Sequence, residues 1–204
     1  MLEEVYLTGD DAQEAFRQLQ TSTNLTLTMA ANGKVDATGN AEDTDDQKLL
    51  TAINDKNVIV NITANKNSKF DFNGKPYQTQ GGSFLGNKIK ERDVLVEELG
   101  VGPKEANLAE KTIKETIVEA NQFVCPNLLE DFDIFAGTYG KAIEHEVTEA
   151  FTGGVIALKS GKASPSANFP NSTYVKAHEA KTTVKQPGDG IITQDDLNKI
   201  RTTK

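Results

Sequence analysis

Apolar and polar residues alternate along Leu25-Thr26-Leu27-Thr28-Met29, and apolar residues recur at alternate positions from Val58 to Ile62. A period of two is the signature of strands with one buried face. A different period precedes each stretch. Ala15, Phe16 and Leu19 fall on one helical face within 12–19, behind a turn and cap at Gly9-Asp10-Asp11, and Leu49, Leu50 and Ile53 do the same within 43–54. Val5 to Leu7 adds a short β run, and Asn32-Gly33 makes a two-residue turn into a strand at 34–38. The first third therefore reads as a β-α-β-hairpin unit followed by a second helix and strand. Both helices are expected on one face of a mixed sheet, which makes the expected class α+β.

The rest of the chain is less periodic. From Asn65 to Gly86 the composition shifts to Asn, Lys, Gly and Ser, ending in Gly81-Gly82-Ser83-Phe84-Leu85-Gly86. Such glycines shape a hairpin, admit the close approach of backbone to a ligand, or mark a plain flexible loop, which is the reading the composition favours. Residues 87–111 are charge-rich and read as surface, and Ile117 to Val124 reads as a strand leading into a break at Cys125-Pro126. Ala142, Val147, Ala150, Phe151 and Val155 lie near helical spacing, and Gly153-Gly154 is expected to weaken or end that helix. A Ser, Ala, Asn and Pro loop at 160–172 precedes a short helix from Tyr174 to Ala180, capped by Ser172 or Thr173. The 204 residues suit one domain with two lobes, 1–86 and 87–180, and a polar tail at 181–204.

Charge and cysteine content narrow the function. A formal charge of -8, with no Lys/Arg stripe interleaved with aromatics, argues against nucleic acid as a partner. The lone Cys125 cannot form an internal disulfide, and with no histidine beside it in sequence it reads as a buried structural thiol. No apolar stretch approaches the ~18 residues of a membrane span, and acidic residues stand where a signal peptide needs basic ones. No membrane association is expected, and any export would be as a piece of a longer protein.

The most chemically specific run is His145-Glu146-Val147-Thr148-Glu149. In a helix, positions 145 and 149 are one turn apart on one face, with Glu146 beside them, and that spacing lets an imidazole and a carboxylate clamp one ion. A catalytic zinc takes about three protein ligands and keeps one position open. The helix offers two, and His178 is the one other histidine in the chain. The bland reading is a solvated helical face on which His145 pairs with Glu149. Asp189 and Asp196 sit as in the back half of a calcium loop, but Lys185 and Pro187 hold its front, and a β-turn explains the segment.

The run GKAIEHEVTEAFTGG from Gly140 to Gly154, followed by Tyr174-x-x-Ala177-His178, resembles the zincin-like metallopeptidase-type domain at the C-terminal ends of Rhs-repeat and other polymorphic-toxin proteins. The segments TGDDAQEAFRQLQTSTNLTLTM, NGKVDATG, LLTAIND and GGSFLG are similar to the region preceding that motif, so the resemblance spans most of residues 5–180. It implies a zincin-like motif helix with His145 and Glu149 as metal ligands, Glu146 as general base and His178 as third ligand. A peptide or protein substrate and a cognate immunity protein are the partners it implies. Glu149 stands where the common zincin signature has a second histidine, and a carboxylate is a harder ligand that admits Mn2+ or Fe2+ beside Zn2+. Tyr174 is a candidate oxyanion donor.

Overall fold

A computed structural model describes residues 5–95 and 112–173, apart from 73, 168 and 170. The class is α+β. The elements run β1 (Val5–Thr8), α1 (Ala12–Ser22), β2 (Thr26–Met29), β3 (Lys34–Thr38), α2 (Thr44–Asn54), β4 (Val58–Ala64), β5 (Lys69–Phe72), β6 (Lys75–Gln78), β7 (Gly82–Leu95), β8 (Thr112–Val124), α3 (Pro126–Ala136) and α4 (Lys141–Ser160). Six strands form one mixed sheet in the order β2-β3-β1-β4-β8-β7. β1, β4 and β8 run parallel, whereas β3 joins β1 and β7 joins β8 antiparallel. Strands from both sides of residue 86 thus share a single sheet.

Register converts the alternation of the sequence into buried rows. Val35, Val5, Val60, Ala120 and Asn87 are successive partners across the sheet, and so are Leu7, Ile62, Gln122 and Phe84. All of these side chains are buried. Ala15 and Leu19 of α1, Leu49, Ala52 and Ile53 of α2, Leu129 of α3 and Ile143, Val147 and Ala150 of α4 close over this face as one core. Removing water from a Leu or Ile side chain contributes about 1.5–3 kcal/mol each, and this continuous core is the main favourable term in the fold. The start of α2 is local chemistry: Asp43 accepts hydrogen bonds from Asp45 N and Asp46 N at 2.9 and 2.8 Å, whereas Asp11, expected to cap α1, makes no such side-chain bond; the Asp46 carboxylate accepts from Glu42 N and, across to the loop after α1, from Asn24 N and the Thr23 hydroxyl.

Three expectations are corrected. The glycine and asparagine stretch at 65–86 is a hairpin, β5–β6, with Phe70 stacked 3.8 Å above Phe123 on the outer face of the sheet, followed by the start of β7. The charged residues after 86 continue β7 as an edge strand along β8, where Arg92 pairs with Glu115 directly opposite and Lys90 reaches diagonally to Glu119. Charged alternation looks like a solvated surface in sequence because one face of this ribbon does meet water. Gly153-Gly154 does not end α4 either. A Cβ on Gly154 would overlap Val58 Cγ1 and come into contact with Ala120 Cβ, so the glycine is what lets the helix lie directly on the sheet.

Gly154→Ala should therefore run against helix propensity, which favours alanine by about 1 kcal/mol. We expect a net loss of about 1–3 kcal/mol from overpacking, read as a lower urea midpoint at unchanged m-value. A rise in the midpoint would mean the helix stands off the sheet.

Candidate functional site

α4 carries the motif, and its neighbours set it in place from both ends. At its start the Asp133 carboxylate of α3 accepts from Ala142 N at 3.1 Å and from the Thr138 hydroxyl at 2.7 Å, so one helix caps the next. Burial pushes the Asp133 carboxyl above its ordinary range, opposed by Thr138 and by the N–H groups of Ala142, Gly140 and Lys141. Further along, Asn87 of β7 donates to Gly153 O at 3.1 Å and accepts from Ser164 N at 2.7 Å, tying the helix and the segment after it to the sheet edge.

Between these anchors the motif residues diverge around the helix. Ile143, Val147, Ala150 and Gly154 share the sheet-facing stripe, as their one-turn spacing requires. His145 and Glu149 are 3% and 2% exposed, with Nε2 and Oε2 3.5 Å apart. The picture of a solvated pair is thereby replaced by a buried one. Two atoms each about 2.0–2.2 Å from a tetrahedral zinc lie about 3.3–3.6 Å apart, a separation that this imidazole and carboxylate match. Buried donors of nitrogen and oxygen type are also the set such an ion uses.

Glu146, one position on, points to the sheet edge. Its Oε2 accepts from Gln122 Nε2 of β8, and its carboxyl group lies so close to Gly82 of β7 that a Cβ there would overlap it. Glu144 occupies another side of the helix, 2.8 Å from Lys141 Nζ and beside Asp45 and Ser22. Burial pushes the Glu144 carboxyl up, with Lys141 opposing and Asp45 adding to the shift. Burial works against the Lys141 charge, yet Glu144, Asp45 and Asp43 hold that ammonium above its ordinary range.

His145 and Glu149 are thus brought together, and Glu146 stands one step around the helix. His178, Tyr174, Asp189 and Asp196 lie outside the described residues. Among the described residues no cluster of three His, Cys, Asp or Glu side chains has the spacing to hold a metal. Cys125 is buried, its thiol donating to Lys66 O at 3.2 Å, in a structural setting. Gln122 and Asp133 were missed by sequence reasoning. Gln122 did carry a signal, since it is the one polar side chain in the alternating series Val118, Ala120, Gln122, Val124. Among the described residues no helix is long and apolar enough to cross a membrane. The chain matches no family model, no curated protein and no solved structure.

Asp133 generates a pH prediction. Its raised pKa means the folded state binds the proton more tightly than the unfolded chain does. The associated stability is complete below the unfolded value of about 3.9 and is lost as pH rises through the folded value. Urea midpoints taken from pH 3.5 upward should contain this declining component in the parent and lack it in Asp133→Asn, which keeps an oxygen acceptor for Ala142 N. Identical pH profiles would show that Asp133 does not titrate in this range.

Proposed function

We propose that the chain is a zinc-dependent metallopeptidase domain of zincin type, acting on a peptide or protein substrate as the effector end of a polymorphic toxin. The observation that carries the reading is the buried His145–Glu149 pair, spaced for one ion, with the Glu146 carboxylate on the adjoining side of the same helix. A solvated helix surface would not bury both groups, and a buried imidazole and carboxylate that answer only to packing would be readily replaced by apolar residues.

In this reading His145 and Glu149 hold the metal with His178 as third ligand. Zinc, when bound, supplies Lewis acidity toward the scissile carbonyl and the attacking water. Glu146 takes the proton from that water and passes it to the departing amine. Support for this role comes from its carboxylate, on the same helix as the His145–Glu149 pair, being held by the Gln122 side-chain amide. Glu149 in place of a histidine adds negative charge to the ligand set, which favours Mn2+ or Fe2+ more than an all-imidazole site would. The substrate, a cognate immunity protein as partner, and transport as part of a longer chain follow from the Rhs resemblance.

Elemental analysis of the purified chain should find about one equivalent of metal per chain, lost in His145→Ala. Glu146→Gln should retain the metal and lose about 10²–10⁴-fold in hydrolysis of a fluorescent casein substrate. A parent that takes up no zinc, manganese or iron would make the pair a structural contact and the domain a non-enzymatic interaction module. A parent that binds metal but cleaves no substrate would leave a metal-binding scaffold.

A further inference from the structure

The side of the sheet facing α4 contains a notch at Gly82. Gly82 pairs with Val124 and Phe84 pairs with Gln122, so these four residues form a block on one face, with Gly82 and Gln122 on its diagonal. Phe84 and Val124 are apolar and fully buried. Gln122 is only 1% exposed, and its Oε1 is buried and accepts no hydrogen bond among the described residues. An amide oxygen left so is destabilising, and a leucine or methionine in that row would avoid the penalty. What the amide supplies in return is its N–H, donated to Glu146 Oε2. The opposite amide orientation would set two acceptors against each other.

Gly82 supplies the space. Its missing side chain is the volume into which the Glu146 carboxyl group reaches. The backbone there is held firmly: the Thr79 hydroxyl donates to Gly82 O at 2.7 Å and accepts from Gly81 N at 3.1 Å, while Cys125 N donates to Gly81 O at 2.7 Å. Leu129 and Phe132 of α3 pack beneath Gly81. The notch is therefore a built feature of the β7–β8 edge, stiff on the strand side and open to one carboxylate from the helix.

We infer that Gln122 and Gly82 form a seat for Glu146, with Gln122 as the positioning residue that fixes one carboxylate oxygen and so sets the direction of the other. This rests on the reading of Glu146 as general base. Gln122 is too buried to meet substrate and acts through Glu146. A donor on one oxygen also narrows the rotamers open to a glutamate, which otherwise samples several about its side-chain bonds. Proton transfer needs its partner within hydrogen-bond reach, and a displacement of about 1 Å can reduce rate 10²-fold.

The test has one arm that needs no activity. In the metal-free, isotope-labelled chain the Gln122 side-chain amide resonances, assigned through bonds, should shift on Glu146→Ala, while amides of exposed glutamines stay in place. In the zinc-loaded chain, Gln122→Met, which fills the same space without a donor, should keep the parent metal content and KM and lose about 10–100-fold in kcat on fluorescent casein. Gly82→Ala should produce the same split from the other side of the notch. Unmoved Gln122 amide resonances, or Gln122→Met turning over at the parent rate, would overturn the proposal. Should Gln122→Met fail to fold, the amide shift in Glu146→Ala still decides. If the amide shifts but the parent cleaves nothing, the seat stands and the peptidase reading falls.

Discussion

Where Gly154 of α4 lies against Val58 and Ala120, helix and sheet approach more closely than a side chain on that residue would permit. That contact sets the rotation of α4 on the sheet, and every other side chain of the helix takes its direction from it. Successive residues turn through about 100°, so once Ile143, Val147, Ala150 and Gly154 are committed to the core, the remaining positions are aimed without further choice. Glu146 then reaches the edge formed by β7 and β8, Glu144 meets Lys141 on another side, and His145 with Glu149 shares a third direction. A glycine pair in mid-helix is unfavourable locally by about 1 kcal/mol per residue, and close packing offsets it.

The electrostatics of α4 follow from the same placement. Three glutamates within six positions are removed wholly or partly from water, and each has been given a different counterpart: an ammonium for Glu144, an amide for Glu146 and an imidazole for Glu149. An unsatisfied buried carboxylate is too costly to persist, so the identity of each counterpart decides what its carboxylate can do. An ammonium holds its partner as a structural ion pair. An imidazole beside a carboxylate makes a donor set for a divalent ion. An amide supplies a hydrogen-bond donor without a charge. The division of labour proposed for these residues thus rests on their surroundings rather than on their chemical type.

Much of the scaffold was legible in the chain. The alternation at Leu25 to Met29 and Val58 to Ile62, the Asn32-Gly33 turn, and the helical spacing of Ala15 with Leu19 and Leu49 with Ile53 are local patterns, and the structure places strands, hairpin and helices accordingly. What was not legible depended on partners. The run from Gly82 to Leu95 contains glycines and charges that read as loop and surface, and it becomes a strand because thirteen residues of β8 pair with it. Helix α3 begins at Pro126, a residue that favours the first turn of a helix but equally marks a break, so its sequence alone does not separate the two. Gly153-Gly154 reads as a helix end until the opposing Val58 and Ala120 are in view.

The candidate site divides along the same line. Sequence by itself determined that His145 and Glu149 share one face a turn apart with Glu146 beside them, because helical geometry follows from backbone sterics and hydrogen bonding within a few residues. Only the tertiary structure decided that the pair is buried, that its atoms lie 3.5 Å apart, and that Glu146 is received by Gln122 and Gly82. Those facts arise from the register between β7 and β8 and from the rotation of α4 upon them. Both are set by packing between residues far apart in the chain, and no local period carries that information.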